Sequence, residues 1–160
     1  MVLFAADDFG TDHMRARSEL AKRIRGLVRL DDFLIVDDEA ADAKWLISSL
    51  KLVCGHDVEI RHVRTAGTMI DALRARLPKL MFLDDRLSPV DNATSTLPLV
   101  RKTGYEGPVV IVSGALTKAR RADLLRLGAA AILHKDEIES TRVAELLLQI
   151  FGPEDGTPSP

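Results

Sequence analysis

Leu80-Met81-Phe82-Leu83-Asp84-Asp85-Arg86-Leu87-Ser88-Pro89 sends four apolar residues straight into a carboxylate pair and then into a Ser-Pro loop. A short unbroken apolar run bounded by turn residues reads as a strand buried on both faces. Asp84 then stands where that strand leaves the core. In an open parallel α/β sheet, chemistry collects outside the carboxyl ends of the strands. Three other runs end in the same manner. Phe33-Leu34-Ile35-Val36 runs into Asp37-Asp38, Val109-Val110-Ile111-Val112 into Ser113, and Ala130-Ala131-Ile132-Leu133 through His134 into Lys135. Carboxylates, a hydroxyl and an ammonium are therefore expected along one sheet edge.

Working outward, residues 39–54 carry Ala43, Leu46, Ile47, Leu50 and Val53 at helical spacing and stop at Gly55. Residues 57–63 alternate as a half-buried edge strand does. A helix over residues 66–76 carries Met69, Ile70 and Leu73 and is ended by Pro78. A weaker pattern predicts a helix over residues 94–102. Clearer ones predict helices over 117–127, closed by Gly128, and over 137–151, with Ile138, Val143, Leu146, Leu147 and Ile150 toward the core. Five strands alternating with five helices call for a parallel sheet with helices on both faces and right-handed crossovers. Residues 31–151 make up this α/β domain. Residues 1–30 read as an N-terminal extension with an extra amphipathic helix, Leu20, Ile24, Leu27 and Val28 lying among Arg15, Arg17, Lys22, Arg23 and Arg25. Residues 152–160 are rich in Gly, Pro and Ser and read as a disordered tail.

The bulk composition excludes several function classes. At 160 residues, 46% hydrophobic and 29% charged, the chain can bury one ordinary core. Only 4% is aromatic, which leaves no stacking platform for single-stranded nucleic acid. A net charge of -2 gives no general attraction to nucleic acid or to an anionic membrane. The single cysteine, Cys54, cannot close an internal disulfide, which suits a reducing compartment. No apolar run is long enough to span a bilayer, and the first residues do not form a signal peptide. A cytoplasmic location is expected.

The strand-end residues suggest one chemistry. Asp37, Asp38 and Asp84 would repel one another unless a cation sat among them. Three acids without His or Cys ligands suit Mg2+ or Mn2+ better than zinc. Ser113 and Lys135 could hold phosphoryl oxygens beside such an ion. Phosphoryl transfer depends mainly on positioning and charge neutralisation, and an aspartate can itself be the nucleophile. Each piece has a plainer reading as well. Asp37 or Asp38 could cap the helix near Glu39, Asp84-Asp85 could be loop polarity, and Lys135 could be a solvated surface lysine. The conjunction at strand ends favours the site, while the residues alone leave Asp84 and Asp85 both open as the nucleophile.

Four motifs in order resemble a receiver domain of two-component response regulators across residues 32–151. They are Leu34-Ile35-Val36-Asp37-Asp38-Glu39, Pro78-Lys79-Leu80-Met81-Phe82-Leu83-Asp84-Asp85-Arg86-Leu87, Pro108-Val109-Val110-Ile111-Val112-Ser113-Gly114 and Gly128-Ala129-Ala130-Ala131-Ile132-Leu133-His134-Lys135. The resemblance implies a flavodoxin-like (βα)5 sheet of order 2-1-3-4-5, with Asp84 rather than Asp85 as phosphoacceptor. It implies Asp38 and Asp84 as direct Mg2+ ligands, Asp37 acting largely through water, and the Arg86 backbone carbonyl as another ligand. Ser113 and Lys135 become the pair that contacts the phosphoryl group.

The implied partners are a histidine kinase or histidine phosphotransfer protein as donor and a downstream protein target. Nucleic acid and membrane are not expected as partners. The chain would catalyse only its own phosphorylation and dephosphorylation, and a single-domain regulator is expected. A homodimer could form through the N-terminal helix or the last helix-strand-helix face. Three departures stand out: Ile132 where the family usually has Tyr or Phe, Asp136 where it usually has Pro, and no Gly in Ser88-Pro89-Val90-Asp91-Asn92. With Ile132 the switch must be read out differently or is weaker. One rival reading is a degenerate receiver serving as a phosphorylation-independent interaction module. The other is an aspartate-based phosphohydrolase, whose pattern has a second aspartate where this chain has Arg86.

Overall fold

In the computed structural model, which describes residues 30–87 and 92–152 together with Glu19 and Lys22, five strands pair in parallel in a single sheet. They are β1 (Asp32–Val36), β2 (Glu59–Val63), β3 (Leu80–Asp84), β4 (Val109–Ser113) and β5 (Ala131–His134). Their order is β2-β1-β3-β4-β5. The helices are α1 (Ala40–Cys54), α2 (Ala66–Ala75), α3 (Ala93–Lys102), α4 (Lys118–Arg126) and α5 (Ser140–Phe151). This is the flavodoxin-like arrangement that the resemblance implies.

Strand pleating divides the core in two. Successive side chains point to opposite faces of the sheet, so Phe33, Ile35, Leu80, Phe82, Val110, Val112 and Leu133 pack with α1 and α5. Leu34, Val36, Met81, Leu83, Val109, Ile111 and Ile132 pack with α2, α3 and α4. β3 and β4 are buried along their whole length, which is why they read as unbroken apolar runs. β2 is the half-exposed edge.

The helices differ in how firmly they are seated. α1 buries Ala43, Leu46, Leu50 and Val53, and α5 buries Val143, Ala144, Leu146 and Leu147. α3 buries Ala93, Leu97 and Val100 despite carrying Pro98, and Asn92 caps it by accepting the Thr94 N–H at 2.8 Å. α4 buries Leu124 alone. Gly128, at φ +105, takes the left-handed conformation that closes α4. Among the described residues, no helix is long and apolar enough to cross a membrane.

Boundaries shift from the sequence expectation where local hydrogen bonding intervenes. β2 begins at Glu59 rather than at residue 57, because His56 and Asp57 form the turn after Gly55. α5 begins at Ser140 rather than at residue 137. The chain from Lys135 to Glu137 winds instead into a 3-10 turn, tied by the Asp136 N–H donating to His134 Nδ1 at 3.1 Å. That turn constrains a loop expected to be loose for want of a proline. The loop residues 88–91 and the tail 153–160 lie outside the described residues. So does the N-terminal helix, apart from Glu19 and Lys22, which are helical and exposed.

Phe82 is fully buried at the centre of the sheet, its ring centroid 6.4 Å from that of Phe33. Truncation there leaves a cavity between rigid strands. Phe82→Ala is expected to lower unfolding free energy by about 3–5 kcal/mol in urea titrations, and a loss below about 1 kcal/mol would contradict this account of the core.

Candidate functional site

Strand register decides which polar side chains meet. Val36 pairs with Leu83, Asp84 with Val112, and Ser113 with His134. Asp37, Asp84, Ser113 and Lys135 therefore leave the sheet within one residue of a common edge. The carboxylate oxygens of Asp37, Asp38 and Asp84 come within 4.8 Å of one another. Asp37 and Asp84 are buried, and Asp38 is half-buried. The site lies in a cleft of about 390 Å³ whose lining includes Asp38, Asp84, Ser113, Gly114 and Lys135.

Lys135 is the cation of this cluster. Its Nζ lies 3.4 Å from Asp84 Oδ1 and 3.0 Å from Asp42 Oδ2 on the first turn of α1. The plain reading of Lys135 as a solvated lysine is thereby corrected. The capping reading of Asp37 is partly right: Asp37 Oδ1 accepts the Glu39 N–H at 2.8 Å while its carboxylate also belongs to the acidic cluster. The Arg86 N–H lies 3.4 Å from Asp84 Oδ1, a long hydrogen bond.

The charges do not balance. Burial, followed by the charge of Asp37, pushes the Asp84 carboxyl up to about 7 against the pull of Lys135. Burial also raises Asp37, against the Glu39 N–H and Lys135. At Lys135 burial disfavours the ammonium, but the hydrogen bond to Asp42 and the charges of Asp84 and Asp37 outweigh it and raise its pKa. One ammonium thus faces four carboxylates. An oxygen-only donor set with excess negative charge fits a hard divalent cation such as Mg2+, which uses few carboxylates and keeps several waters.

Pleating separates the two neighbouring aspartates. Asp84 shares the direction of Phe82 and turns toward Lys135 and α1. Asp85 shares the direction of Leu83 and turns toward α3 and α4. Asp85 is not loop polarity: it is 1% exposed and gripped by Arg120 of α4, with Nη1 2.6 Å from Oδ2 and Nη2 against Oδ1. The Ala93 N–H lies 3.3 Å from its Oδ1. Ser113 falls on this second side. Its Oγ is 3.4 Å from Asp85 Oδ2 and 3.3 Å from the Ala115 carbonyl oxygen. The structure gathers Asp37, Asp38, Asp84 and Lys135 into one cluster, then, and sets Ser113 beside it, turned to Asp85.

Sequence reasoning missed Asp42 and Arg120. Asp42 sits in the first turn of a helix, where an acid needs no explanation beyond the helix dipole. Arg120 had a usable signal: Lys118, Arg120 and Arg121 crowd the first turn of α4, where cations are disfavoured unless a partner compensates.

No family model matches the sequence, and no curated protein matches it. Solved structures match over most of the chain. The signal receiver domain of the response regulator NarL from Mycobacterium tuberculosis aligns at TM-score 0.59 and 23% identity, covering 72% of this chain and 94% of that one. NtrX from Brucella abortus aligns at TM-score 0.65 and 26% identity over 75% of this chain and 26% of the longer one. The BeF3-activated N-terminal receiver domain of RstA from Klebsiella pneumoniae aligns at TM-score 0.63 and 19% identity, covering 74% and 97%. The fold is that of a response-regulator receiver domain.

The raised carboxyls fix the sign of the pH response. An acid whose native pKa lies above its unfolded value binds its proton more tightly when folded, so it withdraws stability as pH rises between the two. For Asp84 that window runs from 3.8 to about 7. In metal-free protein this pair is expected to depress the melting temperature as pH rises through the window. Mg2+ should restore it above about pH 7, where the carboxylates are charged. Calorimetry with chelator and with added Mg2+ checks both arms. A melting temperature indifferent to Mg2+ above that pH would contradict the site.

Proposed function

We propose that the chain is a response-regulator receiver that accepts a phosphoryl group on Asp84 from a histidine kinase or a histidine phosphotransfer protein. The observation that carries this reading is the convergence of the three aspartates with Lys135 Nζ, 3.4 Å from Asp84 Oδ1, at the carboxyl edge of a receiver fold. Asp38 and Asp84 would hold Mg2+ directly, with the Arg86 carbonyl, and Asp37 would act largely through water. When bound, the ion supplies charge neutralisation at the phosphoryl oxygens.

The chain's own residues do the rest. Asp84 attacks as the carboxylate, its Oδ forming a bond to phosphorus as the bond from phosphorus to the donor's imidazole nitrogen breaks. The products are a mixed anhydride on Asp84 and a neutral imidazole, whose remaining proton stays on its other nitrogen. Lys135, held in line by Asp42, neutralises charge on the transferring group. Ser113 would donate its hydroxyl proton to one of the new phosphoryl oxygens. Asp85 does not compete as nucleophile, because both of its oxygens are engaged by Arg120 on the opposite face.

Incubation with Mg2+ and acetyl phosphate is expected to add one phosphoryl group, a mass increase of about 80 Da, labile to hydroxylamine as an acyl phosphate is. Asp84→Asn should abolish the adduct, and Lys135→Met should slow it by at least about tenfold. An adduct of undiminished yield on Asp84→Asn would overturn the assignment. Wild-type protein that binds Mg2+ yet stays unmodified by both acetyl phosphate and phosphorylated kinase would favour the phosphorylation-independent interaction module.

A further inference from the structure

Asp85 joins four separate elements through a single buried carboxylate. It follows the last residue of β3 and takes the Ala93 N–H from the start of α3, the Ser113 hydroxyl from the end of β4 and the Arg120 guanidinium from α4. For α4 this attachment is unusually important, because Leu124 is the only residue that the helix buries. A helix with one apolar anchor opens locally at little cost unless something else secures it. Arg120, 23% exposed against a 2%-exposed carboxylate, is that second anchor.

The Ser113 hydroxyl has one proton to give. Here it faces Asp85 Oδ2 and the Ala115 carbonyl. A phosphoryl group on Asp84 would be a stronger acceptor on the other side of the strand edge. Ser113 Oγ also accepts the Ala115 N–H at 3.3 Å, so its reorientation disturbs the short segment that leads into α4. Ile132, packed among the apolar side chains of the α4 face, offers no hydroxyl or ring dipole to follow that movement.

We propose that Asp85 and Arg120 form the latch through which the site controls α4: they hold Ser113 toward Asp85 in the unmodified protein, and recruitment of Ser113 by the phosphoryl group loosens the hold on α4. Both are positioning residues, acting through Ser113 and α4. The proposal rests on the reading of Asp84 as phosphoacceptor. Its partner-facing consequence is confined to α4 and Leu127, which present the exposed apolar residues Leu125 and Leu127.

Beryllofluoride with Mg2+ serves as the probe, monitored by 19F resonance for occupancy of Asp84 and by amide hydrogen exchange for residues 118–127. In the wild type, occupancy is expected to speed exchange across these amides by about tenfold while leaving α1 and α5 unchanged. In Arg120→Met the same amides should exchange fast without the probe and respond less than about twofold when it binds. Arg120→Lys keeps the charge but loses the two-pronged grip, so it should fall between them. It also carries the test if Arg120→Met does not fold. Absence of a bound 19F resonance in the wild type would remove the phosphoacceptor reading and this proposal together. A bound resonance with α4 exchange unresponsive, or with Arg120→Met and Arg120→Lys responding as the wild type does, would overturn the latch alone.

Discussion

Two adjacent carboxylates leave the end of β3 in opposite directions, and the organisation of the site follows from that. Strand pleating allows no alternative: whatever follows Phe82 by two lies on the α1 and α5 side, and whatever follows Leu83 by two lies on the α3 and α4 side. Each carboxylate then acquires its own cation from a different element, Lys135 after β5 for Asp84 and Arg120 on α4 for Asp85. The two pairs are not equivalent. Arg120 meets Asp85 through two nitrogens in a buried fork, a geometry that satisfies both charges. Lys135 is a point charge shared between Asp84 and Asp42, leaving Asp37 and Asp38 without an ammonium of their own among the described residues. One aspartate is neutralised and structural; the other is left in surplus negative charge and is chemically available.

That asymmetry accounts for the raised carboxyl at Asp84. A protein gains nothing in stability by burying like charges side by side, and neutralising them with protons is the least costly response when no cation is present. Such frustration at the edge of an otherwise apolar sheet is what a cation-dependent site requires. The flanking fold is well able to carry the cost, because β3 and β4 contribute fully buried strands on either side of the site's axis.

Most of the fold was legible because buried parallel strands and amphipathic helices have distinct periods. Val109–Ser113 and Leu80–Asp84 could hardly be read otherwise. The pattern identifies five strands but not their order, which came from the resemblance and is confirmed by the observed pairing. At the site, Asp84, Asp37 and Lys135 were legible because each follows an apolar run, so their common edge is a consequence of the parallel sheet. Asp42 was not, since a helix-start acid has a sufficient local explanation. The Asp85–Arg120 pair spans 35 residues and joins a strand end to a helix. No periodicity encodes such a contact, and only the misplaced cations at the start of α4 hint at it.

Ile132 brings these points together. Its side chain lies buried on the sheet face shared with α4, adjoining a cavity whose lining also includes Ser113, Thr117, Lys118 and Arg121. An aliphatic side chain in that place can fill space but cannot hydrogen-bond or reorient a ring edge toward a partner. Any signal from the carboxyl edge must then travel through polar groups that do change partners. Among the described residues on this side of the sheet, Ser113 and Asp85 are the ones that touch both the edge of the site and α4's tether. The substitution of an apolar residue at Ile132 and the presence of a carboxylate at Asp85 are thus two parts of one arrangement, in which a hydrogen-bonded ion pair occupies the role that ring packing cannot fill.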